Sequence, residues 1–139
     1  MPLAASLLVA SSAAIALCFG LLHLFHTYGG VMLHPREGTV TEAMGQSSLR
    51  ITRETTVWRA WIGFNASHSI ALMLFGALYA YLALAAPALL FGSIFLRALG
   101  LATLAGYVAL SKLYFFSVPF RGIVVATALY VAGLAAATL

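Results

Sequence analysis

From Leu3 to Leu33 the chain carries no Asp, Glu, Lys or Arg, and few folds are open to a segment of that kind. About 20 apolar residues are enough to carry a helix across the hydrocarbon layer of a bilayer, where the backbone has no water and must bond to itself. Three further runs, with at most two cations apiece, occupy roughly 57–85, 89–116 and 119–139. The pattern predicts an all-α fold. It is a four-transmembrane-helix bundle in a single integral membrane domain, 1–139, with helices at roughly 3–33, 57–85, 89–116 and 119–139 and a polar loop at 34–56.

Composition agrees with that reading. Hydrophobic residues make up 63% of the 139, charged residues 7%, and the mean hydropathy is +1.05; soluble domains are about half apolar and about a quarter charged. The bilayer is therefore the first expected partner. A formal charge of +4 spread over scattered cations points to orientation in the membrane rather than to nucleic acid, which is not expected as a partner. The single Cys18, set in an apolar run, excludes an internal disulfide and a cysteine-based zinc or iron-sulfur site. The opening MPLAASLLVASSAAIA imitates a signal peptide, but it lacks a basic start and its apolar run continues past any cleavage site, so it is read as a retained first helix.

Punctuation and charge set the connections. Pro35 closes the first run, Ala85-Ala86-Pro87 separates the second from the third, and Ser117-Val118-Pro119 separates the third from the fourth. Arg36, Arg50, Arg53, Arg59, Lys112 and Arg121 lie by the first and third connections, against Arg97 near the second. By the positive-inside rule the loops 34–56 and 117–119 are expected in the cytoplasm and both termini outside, in a cell membrane of the bacterial inner-membrane type. Within the long loop, Thr39 and Glu42 have capping-box spacing for a short interfacial helix through Met44. Arg50 and Glu54 stand four apart, and Thr52 or Thr55 is placed to cap the second span. A solvated, salt-bridged loop is the plainer account of these features.

At 100° per residue, Trp58, Trp61, Asn65, His68, Leu72, Phe75 and Tyr79 fall in one stripe of the second span, and Gly63, Ser67 and Ala71 in another. The small stripe is a pattern for close helix approach. On the first span His23, His26, Thr27, Gly30 and His34 share a face. His26 is about as deep as Asn65, and His23 about as deep as His68, roughly 12–17 Å in at 1.5 Å per residue. The third span adds Tyr107, Ser111 and Tyr114 on one face. The candidate site is thus His23, His26, His68 and Asn65 for chemistry, with Trp58, Trp61, Tyr107, Ser111, Tyr114 and Arg59 binding a ligand.

Each of these residues also has a plain structural role. Trp58 and Trp61 suit an interfacial belt. The two tyrosines suit cross-bonding of helices, and a lone intramembrane histidine is often an interhelical partner contributing about 0.6 kcal/mol. Three histidines and an asparagine at one level favour a site, because polar groups in hydrocarbon are expensive.

The stretch SLRITRETTVWRAWIGFNASHS, with HLFHTYGG before it and YFFSVPFRGI after it, resembles a group of small, uncharacterised bacterial four-span membrane proteins over nearly the whole chain. A looser topological likeness is to the membrane-associated eicosanoid and glutathione metabolism proteins, through Arg59-Ala60 and Asn65 on the second span. The intramembrane acid of that pattern is absent here, so no glutathione site is carried over.

Three classes of function stay open at the level of sequence. The first is a small membrane enzyme or binding protein for a lipophilic molecule such as a lipid, isoprenoid or quinone, with histidine as acid or base, since its unperturbed pKa of about 6.5 lies near neutrality. The second is a metal or b-type haem protein, with His23, His26 and His68 as metal ligands or His23 and His68 clamping a haem. The third is a structural or accessory subunit of a membrane complex, or a homo-oligomer, whose polar groups lock helices together. The spans hold no carboxylate, which argues against a proton-pumping relay and against paired-carboxylate hydrolysis.

Overall fold

The computed structural model describes residues 3–138. Its elements in chain order are α1 (Leu3–Tyr28), α2 (Gly38–Gln46), the strands β1 (Ser48–Leu49) and β2 (Thr52–Thr56), α3 (Val57–Ala85), α4 (Pro87–Gly92), α5 (Ile94–Tyr114) and α6 (Ser117–Ala136). The fold is all-α apart from the small hairpin. Helices α1, α3, α5 and α6 are each long and apolar enough to cross a membrane.

Several boundaries differ from those read in the sequence, each for a local reason. Helix α1 stops at Tyr28 rather than near 33, because Gly29-Gly30 is a pair of poor helix formers. The expected interfacial helix exists as α2, but Glu37 occupies its N-cap position without a side-chain hydrogen bond. Thr39 therefore lies inside the first turn and cannot close a capping box. The segment carrying Arg50 and Glu54 is an antiparallel hairpin, Leu49 facing Thr52 and Ser48 facing Thr56, so their four-residue spacing is not that of helix neighbours. Its β-branched residues suit a strand. Thr56, not Thr52 or Thr55, caps α3: its Oγ1 accepts from the Arg59 N–H at 3.3 Å. The 89–116 run is two helices, α4 and α5, parted at Ser93, whose hydroxyl accepts from the Leu96 N–H at 3.2 Å. Pro119 sits within the first turn of α6, where a missing N–H costs nothing.

The chain forms two compact units, residues 1–19 with 72–139, and residues 20–71. In the first unit, parts of the four long helices surround a buried core that includes Val9, Ala13, Phe75, Tyr79, Leu104, Ala126 and Tyr130. The helix backbones meet at Gly76: a Cβ there would lie 2.7 Å from the Ala13 carbonyl oxygen and from the Leu17 nitrogen. Gly100 likewise makes room for the rings of Tyr79 and Tyr130. The Tyr79 hydroxyl donates to the Leu96 carbonyl at 2.7 Å, and that of Tyr130 to the Arg97 carbonyl at 3.1 Å. The second unit holds the end of α1, the 29–37 connection, α2, the hairpin and the beginning of α3.

The stripe with Leu72, Phe75 and Tyr79 is the buried side of α3, as its composition implies. The small-residue stripe does not pack against another helix of this chain. Gly63, Ser67 and Ala71 are exposed, and a Cβ on Gly63 would meet nothing within 4 Å. Close approach falls instead at Gly76, on the side that already carries the large apolar residues. Gly76→Leu should therefore lower the melting temperature of the detergent-solubilised protein sharply. Overpacking commonly costs about 1–3 kcal/mol, and here the obstacle is backbone. Gly63→Leu should leave it within about 0.5 kcal/mol of wild type, and equal melting curves for the two variants would contradict this packing.

Candidate functional site

Within the second unit, the end of α1 meets the start of α3 through polar side chains. His23 and Asn65 are both half-buried, and His23 Nε2 lies 2.9 Å from Asn65 Oδ1. The other end of the amide is also engaged, Asn65 Nδ2 donating to the Trp61 carbonyl at 2.8 Å. The ring of His68, one turn further along α3, packs edge-to-face on that of His23, with centroids 5.2 Å apart and planes at 71°. His23 thus touches both Asn65 and His68.

The flanking hydroxyls are satisfied within their own helices. Thr27 donates to the His23 carbonyl at 2.7 Å, and Ser69 to the Asn65 carbonyl at 2.9 Å. Both residues are buried, where an unpaired hydroxyl would cost about 1–3 kcal/mol. Bonding a carbonyl four residues back removes that cost without a second helix.

A second set of contacts joins the 31–36 segment to α3. The Trp61 indole N–H donates to the Leu33 carbonyl at 3.1 Å, and the His34 ring stands edge-on to Trp58 with centroids 4.7 Å apart. Beside His34 an open cleft of about 770 Å³ is lined by Val31, Met32, Pro35, Arg36, Thr41 and Glu42 among others. Trp61 links the two sets: its side chain holds Leu33 and its carbonyl orients Asn65.

Among the residues singled out in the sequence, His23, Asn65 and His68 come together. Trp58 and Trp61 lie nearby, but they brace the 31–36 segment. The His26 ring packs against neighbouring Phe25, centroids 5.4 Å apart, and Arg59 is exposed on the first turn of α3. Tyr107, Ser111 and Tyr114 belong to the first unit. There Ser111 is buried and donates to the Val108 carbonyl at 3.1 Å, Tyr107 is half-buried against the core, and Tyr114 is 74% exposed.

The three-histidine metal set is not assembled. Among the described residues no group of three or more His, Cys, Asp or Glu side chains is placed to hold a metal ion. His26 is turned to Phe25, and the rings of His23 and His68 are in direct contact. Sequence reasoning missed the roles of Leu33 and His34, because the helix was expected to continue to residue 33. The Gly29-Gly30 pair was the available signal. Comparison with family models, with curated proteins and with solved structures finds no match in any of the three.

Trp61→Phe keeps an aromatic ring but removes the donor to Leu33. It should cost about 0.5–1.5 kcal/mol, and amide hydrogen exchange at residues 31–36 should accelerate while exchange in the core of α3 is unchanged. Unaltered exchange in that segment would show that the indole bond does not hold it.

Proposed function

We propose that this four-span protein binds or converts a lipophilic small molecule, such as a lipid, isoprenoid or quinone, with His23 and His68 as its acid/base groups. The observation that carries the reading is the 2.9 Å contact of His23 with Asn65, with the His68 ring against the same imidazole. Two imidazoles and an amide within otherwise apolar helices are an expensive arrangement for a passive scaffold. An imidazole can both accept and donate a proton, so the pair is suited to proton transfer in a medium poor in water. The cleft at His34, with apolar Val31 and Met32 beside Arg36, Thr41 and Glu42, is an amphiphilic surface in the same unit.

His23→Ala and His68→Ala should each leave a folded, helical protein that loses whatever lipophilic molecule the wild type retains on purification. Organic extracts of nanodisc preparations analysed by mass spectrometry provide the comparison. If both variants unfold and the wild-type extract holds nothing beyond the added lipid, the histidines serve only to hold helices together.

We further propose that residues 34–56 face the cytoplasm, on the strength of six cations near the first and third connections against one near the second. With Cys18→Ser as background, an impermeant thiol reagent applied to intact cells should spare Gln46→Cys and label Pro2→Cys. The opposite pattern would invert the orientation.

A further inference from the structure

The bonding of Asn65 dictates which nitrogen of His23 carries its proton. A backbone carbonyl can only accept, so the end of the Asn65 amide that lies 2.8 Å from the Trp61 carbonyl is the NH₂ group. The other end, 2.9 Å from His23 Nε2, is then the amide oxygen, which also can only accept. Rotating the amide by half a turn would set two acceptors against each other at one contact and NH₂ against the ring at the other. The Trp61 carbonyl belongs to the continuous helix α3, so this reference point is part of the backbone.

From this we infer that Asn65 is a positioning residue that holds His23 as its Nε2–H tautomer, leaving Nδ1 as the nitrogen that takes and returns protons. The inference rests on the acid/base reading of His23 and assigns the reacting atom within it. In the step it implies, a ligand X–H bond breaks, an Nδ1–H bond forms, and the ligand keeps the electron pair as an anion; the reverse step returns the proton. During that exchange the Nε2–H bond to Asn65 stays intact. The oxygen end of the amide dipole faces the Nε2–H edge of the ring and fixes its orientation, the part a third group plays behind a catalytic histidine.

The arrangement further requires that Asn65 be held while His23 changes charge. The Trp61 carbonyl does this for the amide group at 2.8 Å, while the Ser69 and Thr27 hydroxyls bond the backbone carbonyls of Asn65 and His23 at 2.9 and 2.7 Å.

The test is nitrogen NMR of the full-length protein, ¹⁵N-labelled at histidine, in nanodiscs at a pH where the imidazole is neutral. Spectra of His26→Gln, His34→Gln and His68→Gln assign the signals by difference and leave His23 itself intact. The expected wild-type result is a protonated Nε2 and a bare Nδ1 on His23, with an Nε2-bound proton that exchanges slowly with water. In Asn65→Leu that proton should exchange at least tenfold faster. A wild-type His23 protonated at Nδ1, or a His23 spectrum and exchange rate unchanged by Asn65→Leu, would overturn the inference. If Asn65→Leu does not fold, the wild-type spectrum alone decides. Because the measurement needs no ligand and no turnover, a correct tautomer in a protein that retains no lipophile would leave this assignment standing and remove the proposed function.

Discussion

A donor buried in hydrocarbon has no water to fall back on, and much of the arrangement of this protein follows from where such donors find acceptors, although Ser12 Oγ and Arg97 Nε are buried without one. Peptide groups are satisfied inside α1, α3, α5 and α6, the four helices with the length and apolarity of spans. Side-chain hydroxyls follow the same rule on a smaller scale. Thr27, Ser69, Thr103 and Thr127 each donate to the carbonyl four residues earlier. Among the described hydroxyls, those of two tyrosines reach another helix. Tyr79 extends from α3 to the Leu96 carbonyl and Tyr130 from α6 to that of Arg97, both near the start of α5.

The same economy explains why the polar cluster is built as it is. An amide has a donor end and an acceptor end, and Asn65 uses the first on its own helix and the second on His23. A serine at that position would be free to bond back to a carbonyl on its own helix, as Ser69 does, and a carboxylate would bring a charge into the span. Asparagine is the side chain that can bond its own backbone and still present an acceptor to a neighbour. The geometry of His23 is therefore referred to the backbone of α3 through one rigid group.

Glycines decide where helices approach or end. At Gly76 the absence of a side chain brings the backbone of α3 against Ala13 and Leu17 of α1. At Gly29-Gly30 it ends α1, and the chain turns so that the Leu33 carbonyl meets the Trp61 indole and the His34 ring meets Trp58. A helix continued through residue 33 would carry His34 along the α1 axis instead. The interruption thus brings the loop and the tryptophans of α3 into contact.

Much of this was legible in the residues alone. Four long apolar runs, in a chain with three acids and seven Lys and Arg residues, leave the backbone no alternative to spanning helices. Periodicity of 3.6 residues put Asn65, His68, Leu72, Phe75 and Tyr79 on one side of α3, and that side is where the buried residues are found. The same periodicity brought His23 to the level of His68, whose rings do touch. Periodicity is a property of one helix, however, and cannot say which of two faces a neighbour will choose. Gly63, Ser67 and Ala71 had the composition of a contact face, yet are exposed, because the contact was taken by Gly76 on the side with the larger apolar area to bury. Nor could equal spacing tell that His23 rather than His26 would reach Asn65. Those choices depend on helix rotation and crossing, and they are settled only when side chains from distant parts of the chain compete for the same volume and the same acceptors.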